Sequence, residues 1–425
     1  MISIIFLVFF FGLLIGMPIA IAIGLGAVTA FWVEGAFPIA QVPHKMVNGV
    51  YSFPLVAVPL FILAGSLAGE TSIAVRLVRL ASALVGHIRG GLGHVNVASS
   101  MFFGGISGSA VADTAAVGSL MIPAMEKQGY SRADAGAITI SSSTIGILIP
   151  PSIPMVLYGV TVGSSIGALF LAGIVPGLLV GLLLMVSVYV MAKRKGWPQS
   201  EQRAPASELW EAFKGAILSL LLPVFLLGAI VTGLTTATEA GVIGVLYALF
   251  LAGVVYREYT WRQLFTITVE SAINTAVPLF VVATTSVVAW VVAIEQFPAA
   301  LVGFFNDLDI GPVFVLLIMN LFLLMIGMFI DLVPAIILFG PILLPVAAVS
   351  GMDPIQFGAM MVVNLGVGLI TPPVGNCLYV GAAVAKVSIW RLVRATLPFL
   401  TVNVIVLMLV TYVPAVTLWL PSLFF

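Results

Sequence analysis

Residues 105–159 and 327–381 carry one pattern twice, aligned without a gap at an offset of 222 positions. The shared residues are those that turn or break a chain: Gly105/Gly327, Gly118/Gly340, Pro123/Pro345, Gly129/Gly351, Gly136/Gly358, Gly146/Gly368, Pro150-Pro151/Pro372-Pro373 and Gly159/Gly381. Each copy therefore sets a Pro-Pro pair inside an apolar run of membrane length. Proline removes a backbone donor and its ring clashes with the preceding turn, so a helix must break there. Broken backbone at membrane depth survives only where protein buries it or water reaches it. Two such breaks at matching places in two halves point to the binding site of a secondary transporter.

Composition excludes most other classes. Of 425 residues, 8% are charged and 61% hydrophobic, whereas soluble domains are roughly one quarter charged. Mean hydropathy is +1.24. The fold class that follows is an all-α polytopic membrane protein in the lipid bilayer. The longest polar stretch, 193–214, is too short for a folded domain and reads as a cytoplasmic linker between a first repeat, 1–192, and a second, 215–425. The lone cysteine, Cys377, rules out a disulfide framework or a multi-cysteine metal site and reads as a small residue packed in a helix. The opening MISIIFLVFFFGLLIG lacks a positive flank and reads as a mature membrane segment. No nucleic-acid partner is expected.

Apolar runs place about ten spans: 2–15, 17–33, 50–70, 131–162 and 166–192, then 215–234, 237–256, 265–293, 353–385 and 391–419. Between the third and fourth span of each half lies an extra stretch, 89–127 and 311–349, with two apolar arms around a Gly-rich polar centre. Arms of ~14–16 residues at about 1.5 Å each reach part-way across ~30 Å of hydrocarbon, so both stretches read as re-entrant hairpins. With the N-terminus outside, every Lys and Arg except Lys45 falls on the inner side. Five spans per half then invert one half relative to the other. The segment before the first hairpin carries Arg76, Arg79 and Arg89, and its counterpart carries Glu295, Asp307 and Asp309. The first hairpin is thus expected to open to the cytoplasm and the second to the far side, each behind an amphipathic arm.

The first hairpin tip holds Ser107, Ser109 and Asp113, and the second holds Gly327 and Asp331. In the broken helices stand Ser142 and Ser143 before Pro150-Pro151-Ser152, and Gly368 and Thr371 before Pro372-Pro373-Val374, with Asn376 beyond. A carboxylate at membrane depth is costly unless paired or solvated. Asp113 and Asp331 either line the site or cap the hairpin helices. Carbonyls freed at a helix break, with Ser, Thr and Asn oxygens, suit a small hard cation. The half-helix N-termini beyond the Pro-Pro pairs suit an anion. The expected site lining is therefore Asp113, Ser142, Ser143, Pro150, Pro151, Ser152, Asp331, Pro372, Pro373 and Asn376, with Na+ and an organic anion as ligands and no transition metal. Glu239 and Glu270 read as structural or interfacial.

An enzyme reading finds no support. Gly105-Ile106-Ser107-Gly108 fits the G-x-S-G pattern of intramembrane serine proteases, but such a serine needs a base, usually a histidine from a later helix. His44, His87 and His94 all precede it. No Walker loop is present, so energy must come from an ion gradient or a partner.

End to end, the chain resembles the large membrane subunit of tripartite ATP-independent periplasmic (TRAP) transporters. The motifs that carry the likeness are MPIAIAIGLGA (17–27), PLFILAG (59–65), GGISGSAVADTAAVGSLMIPAM (104–125), SSSTIGILIPPSIPMVLYG (141–159), TTATEAG (235–241) and NLGVGLITPPVGNCLYV (364–380). The resemblance implies a sodium-coupled importer of organic acids in a bacterial inner membrane, with a periplasmic N-terminus. It implies an elevator motion in which hairpins and broken helices move against a scaffold made of the remaining spans. It implies two separate partners, a small four-helix membrane subunit and a periplasmic substrate-binding protein. Sodium ligands implied by it are Ser107 and Ser109 in one half and Gly327, Gly368, Thr371 and Val374 in the other. A self-sufficient ion-coupled anion carrier and an anion channel are the alternatives. Channels build pores from symmetric rings, however, whereas two inverted, non-identical hairpins suit alternating access.

Overall fold

Proline and glycine punctuate a chain in which, among the described residues, every regular element is helical. The structure is a computed structural model that describes residues 1–69, 71–199, 203–308 and 310–425. Asp309 and linker residues 200–202 lie outside the described residues. The first half contains α1 (Ile2–Leu14), α2 (Ile19–Glu34), α3 (Gln41–Val50), α4 (Ala57–Gly69), α5 (Ile73–Val85), α6 (Gly91–Ser107), α7 (Ala110–Lys127), α8 (Arg132–Ser143), α9 (Ile153–Val162) and α10 (Ile166–Lys195). The second contains α11 (Ala206–Val231), α12 (Ala237–Phe250), α13 (Trp261–Ile294), α14 (Phe297–Asp307), α15 (Pro312–Phe329), α16 (Leu332–Val349), α17 (Pro354–Leu369), α18 (Asn376–Ala385) and α19 (Ile389–Tyr412).

The repeat extends well beyond the motif that announced it. Shifted by 222 positions, the bounds of α7 become those of α16, and α5, α6, α8, α9 and α10 fall on α14, α15, α17, α18 and α19. One pair of counterparts differs. Helices α3 and α4 together match α13, which is a single helix of 34 residues, whereas the first half is bent there by 65°. The cause is local. Pro54 starts the short turn Phe53–Val56 and cannot continue α3; Ala276 stands at the corresponding place in α13. The span expected at 50–70 is therefore this bent pair, and it begins at Gln41.

Two packed groups result. In one, α2 lies on α13 and α12 on α4, which are counterparts under the offset, with α1, α3 and α11 alongside. In the other, the two hairpins and the two broken helices pack crosswise, α7 on α18 and α16 on α9. Helices α10 and α19 belong to this second group, against the expectation that all remaining spans would join the first. Small residues explain it for α10. A Cβ on Gly173 would lie 2.2 Å from the Leu148 carbonyl oxygen, one on Gly177 2.9 Å from Ile149, and one on Gly181 2.5 Å from Met101. Glycine at every fourth position thus lets α10 lie directly on the first helix break and on the first hairpin. For α19, Asn403 meets the hydroxyl of Thr144 at 2.9 Å, and Thr411 joins Asn320 and Asn364 in a buried chain of hydrogen bonds.

The hairpin arms are longer than expected, 17 residues in α6 and 18 in each of α7, α15 and α16. Length alone does not mark them as re-entrant. Their tips do, because each tip ends against the middle of a broken span, as described next.

Candidate functional site

The first tip is built on Gly108 and Ser109. Gly108 closes α6 with φ +60, a conformation that favours glycine, and Ser109 caps α7 by accepting the Ala112 N–H at 3.4 Å. A Cβ on Gly108 would lie 2.6 Å from the Pro151 carbonyl oxygen, so the tip rests on the first Pro-Pro pair with no room for a side chain. Just before the tip, a Cβ on Gly104 would lie 2.7 Å from the Cα of Gly146, and one on Gly105 3.4 Å from the Pro150 carbonyl oxygen. The Pro150–Pro151 bond is cis. Beyond it Ser152 donates to the Ile147 carbonyl at 2.5 Å and accepts the Met155 N–H at 3.4 Å, which starts α9. Pro150, Pro151 and Ser152 are all buried.

The second tip repeats the contact with other residues. A Cβ on Gly327 would lie 3.3 Å from the Cα of Gly368. The Val374 N–H donates to the Met328 carbonyl at 3.1 Å, tying the tip to the break, and the Pro372–Pro373 bond is again cis. Asp331 occupies the cap position of α16, at the place of Ser109 in the first half, and accepts from Asn376 Nδ2 at 2.8 Å. The Thr371 hydroxyl donates to the Val367 carbonyl at 2.6 Å, which leaves its oxygen lone pairs for a ligand. A Cβ on Gly375 would lie 2.8 Å from the Thr371 carbonyl oxygen and 2.9 Å from that of Leu369, so two carbonyls converge on this glycine. This donor set, all oxygen and uncharged, fits a small hard cation. Unlike the first break, the second is partly open: Pro373 and, at the tip, Phe329 are exposed.

Between the tips lies a buried polar cluster. Asp113, in the first turn of α7, is fully buried, and neither carboxylate oxygen has a hydrogen-bond partner. The Ser100 hydroxyl neighbours it without reaching hydrogen-bond geometry. Asp113 therefore does not cap its helix; Ser109 does. Next to it Thr114 donates to Ser143 Oγ at 2.8 Å, and Ser143 Oγ stands 4.0 Å from Cys377 Sγ. Cys377 thus links this cluster to the second break, because Asn376, its neighbour in the chain, donates to Asp331. Ser142 and Ser143 lie here, but their hydroxyls are engaged. Ser142 meets Ser100 at 3.1 Å and donates to the Thr139 carbonyl at 3.0 Å, and Ser143 donates to the Ile140 carbonyl at 2.8 Å.

The structure thus brings Ser107, Ser109, Pro150, Pro151 and Ser152 together around the first tip. It brings Gly327, Asp331, Gly368, Thr371, Val374 and Asn376 together around the second. Sequence reasoning missed Asn96, which donates to Thr139 Oγ1 at 2.7 Å, together with Ser100, Thr114 and the place of Cys377. One signal was present: Asn96 and Ser100 are one turn apart and share a face of α6. Glu239 closes a capping box with Thr236 and is structural. As for a base beside Ser107, His94 lies on the same helix thirteen residues earlier, about 20 Å away, and faces the Arg89 carbonyl at 3.1 Å.

Comparison with known proteins agrees with this geometry. The chain is 42% identical over 409 residues to the sialic acid TRAP transporter large permease protein SiaM of Vibrio cholerae, covering 96% of each chain. It is 39% identical over 404 residues to the 2,3-diketo-L-gulonate TRAP transporter large permease protein YiaN of Escherichia coli, covering 95% of each. Both are permeases and not enzymes. Among solved structures, the YdaH transporter of Alcanivorax borkumensis, described as having an unusual topology, shares the fold with a TM-score of 0.57. It is 13% identical, and the match covers 87% of this chain and 86% of that one. The family described as "Tripartite ATP-independent periplasmic transporter, DctM component" matches residues 6–416, and the chain belongs to it.

Proposed function

We propose that this chain is the sodium-coupled transport subunit that carries an organic acid anion across the bacterial inner membrane. The observation that carries the reading is the meeting of each hairpin tip with a Pro-Pro break, at Gly108 on Pro151 and at Met328 on Val374. At the second break Na+ binds to Thr371 Oγ1 and to the carbonyls around Gly375, with Gly327, Gly368 and Val374 holding the tip in register. At the first, Ser107 and Ser109 supply oxygens. The anion sits at the N-termini of α9 and α18, where Ser152 and Asn376 stand beside positive dipole ends, and Asp331, which accepts from Asn376, lines the site as a carboxylate for the cation to offset. Bound Na+ offsets the carboxylates of Asp113 and Asp331, so the loaded site crosses the membrane with less unpaired charge than the empty one.

Movement is of the elevator kind. Hairpins, broken helices, α10 and α19 shift as one body against α1–α4 and α11–α13, with the N-terminus periplasmic. The relatives' names supply the substrate class, sialic acid and a keto-sugar acid, both carboxylates. A periplasmic binding protein hands the anion over, and a small four-helix membrane subunit docks on the first helix group.

Thermal unfolding of the purified chain in NaCl, KCl and choline chloride at equal ionic strength tests the coupling ion. A ligand that binds only the folded state raises its stability by mass action. A rise in Tm specific to Na+ is expected; equal values in the three salts would remove Na+ as the coupling ion.

A further inference from the structure

The arm helix α5 joins the two helix groups on the inner side, and the turn that leads into it is held from an unexpected quarter. Glu258, in the connection between α12 and α13, reaches across the repeat to the elbow between α4 and α5. Its Oε2 accepts the Ser72 N–H at 2.7 Å, and its Oε1 accepts the Ser72 hydroxyl at 2.5 Å. Both donors of the residue that begins α5 thus end on one carboxylate. Ser72 Oγ accepts in turn from Arg76 Nε at 3.0 Å, and the Arg76 guanidinium lies over the Tyr256 ring, 4.0 Å from its centroid. Tyr256 OH meets Ser219 on α11 at 3.3 Å. Elbow, arm, α11 and the connection between α12 and α13 are joined in one network.

The backbone beside Glu258 carries a second sign of purpose. Arg257 has φ +55, a left-handed conformation that side chains other than glycine rarely adopt. Such a conformation persists only where its surroundings over-determine it. At the elbow between α13 and α14 a carboxylate is again engaged, here from within the elbow: Gln296 has φ +51 immediately after Glu295, whose carboxylate accepts the Ile2 N–H at 3.4 Å. Among the described residues three non-glycine positions have positive φ, and two of them adjoin a carboxylate that ties an elbow to another element.

We infer that Glu258 is a latch that fixes the angle of the inner arm at Ser72 and thereby weights one position of the moving helix group over the other. A hinge must absorb backbone rotation at a few residues, and Ser72, the residue that the carboxylate grips, is where α5 begins. Rotation of α5 about this elbow breaks both hydrogen bonds, so their free energy enters the balance between positions directly. This rests on the elevator reading above. Glu258 touches no residue of the proposed site and acts as a positioning residue.

The test is a distance between the two helix groups. Spin labels at Ser119→Cys on α7 and Thr268→Cys on α13, both exposed, are read by pulsed EPR on the full chain in lipid nanodiscs, with and without Na+. Wild type is expected to populate two distances whose ratio Na+ shifts. Glu258→Ala should deplete the population matching this structure by about fivefold or more. Glu258→Gln, which keeps an acceptor for Ser72, and Ser72→Ala, which keeps the backbone bond, should each shift it less. An unchanged ratio in both alanine variants overturns the latch. If Glu258→Ala does not fold, Ser72→Ala alone decides. A single distance in wild type under every condition overturns the elevator reading and the latch with it. A failure confined to the alanine variants leaves the elevator reading standing.

Discussion

Gly368 and Gly327 meet backbone to backbone: a Cβ on Gly368 would lie 2.6 Å from the carbonyl carbon of Gly327 and 2.7 Å from its oxygen. Neither atom belongs to a flexible side chain that could step aside. Gly368→Ala must therefore push the second hairpin tip off its helix break, with an overpacking cost of about 1–3 kcal/mol. Uptake should fall at least about tenfold and Tm should drop. Gly228→Ala is the matched control, because a Cβ there meets nothing within 4 Å. In a helix interior that change should be neutral or stabilise by about 0.5–1 kcal/mol.

Thr371 separates stability from ion binding. Its hydroxyl donates to Val367, so Thr371→Ala costs about 1 kcal/mol whether or not an ion is present. The informative quantity is the Na+-specific increment in Tm. Thr371→Ser keeps the oxygen and should keep the increment, and Thr371→Ala should lose most of it. An increment equal to wild type in the alanine variant would take Thr371 out of the site.

Why the tips and breaks were legible in the sequence, and other features were not, follows from what each residue type constrains. Pro-Pro forbids a continuous helix whatever surrounds it, so the breaks at 150–151 and 372–373 could be placed without knowing a neighbour. Gly108 and Gly375 were visible as glycines, but the carbonyls they admit come from Pro151 and from the chain's own turn, and only the structure places those. The bend between α3 and α4 had its cause in plain view at Pro54, but α3 itself carries Gln41, His44, Lys45 and Asn48, so the apolar run begins only near 50 and misses the first arm of the bent pair. The glycines of α10 announce a close neighbour without naming it. Cys377 looked like packing because its surroundings come from α7 and α8, more than 230 residues away for Ser143. Contacts between the halves depend on how α18 crosses α7, which no local pattern encodes.

Among the described residues, Asp113 is an acid fully buried with both oxygens unpaired. An unpaired buried charge costs several kcal/mol. Asp113→Asn removes the charge and keeps the shape, so in choline chloride the variant should be more stable than wild type by about 1–2 kcal/mol. The same substitution should shrink the response to Na+, because the ion no longer relieves anything. Lower stability in choline with an intact Na+ response would make Asp113 a structural residue.

Cys377 is the one cysteine of the chain and is 0% exposed, so it reports on the site without engineering. With the site closed, N-ethylmaleimide should modify it at least about tenfold more slowly than a cysteine placed at exposed Ser119. Na+ should slow it further by holding the second tip on its break. Fast labelling in Na+ would mean that the tip opens with the ion bound.

Gly65 tests where the two helix groups slide. It lies on α4, and a Cβ there would stand 3.1 Å from the Ser107 carbonyl oxygen and 3.3 Å from its Cα. The first tip also touches the first helix group at Pro223, which a Cβ on Gly105 would approach to 3.3 Å. These contacts are between groups, not within the ion site at Thr371. Gly65→Val puts bulk on the track, beside Ser107 of the first tip but away from the second break, so it should reduce uptake strongly while keeping the part of the Na+-specific rise in Tm that Thr371→Ala removes. Gly368→Ala, inside the site, should damage both. The pair of variants separates binding from movement: loss of the Na+ response in Gly65→Val would mean that the first tip and the ion site are one rigid unit with α4, and that the boundary of the moving body lies elsewhere.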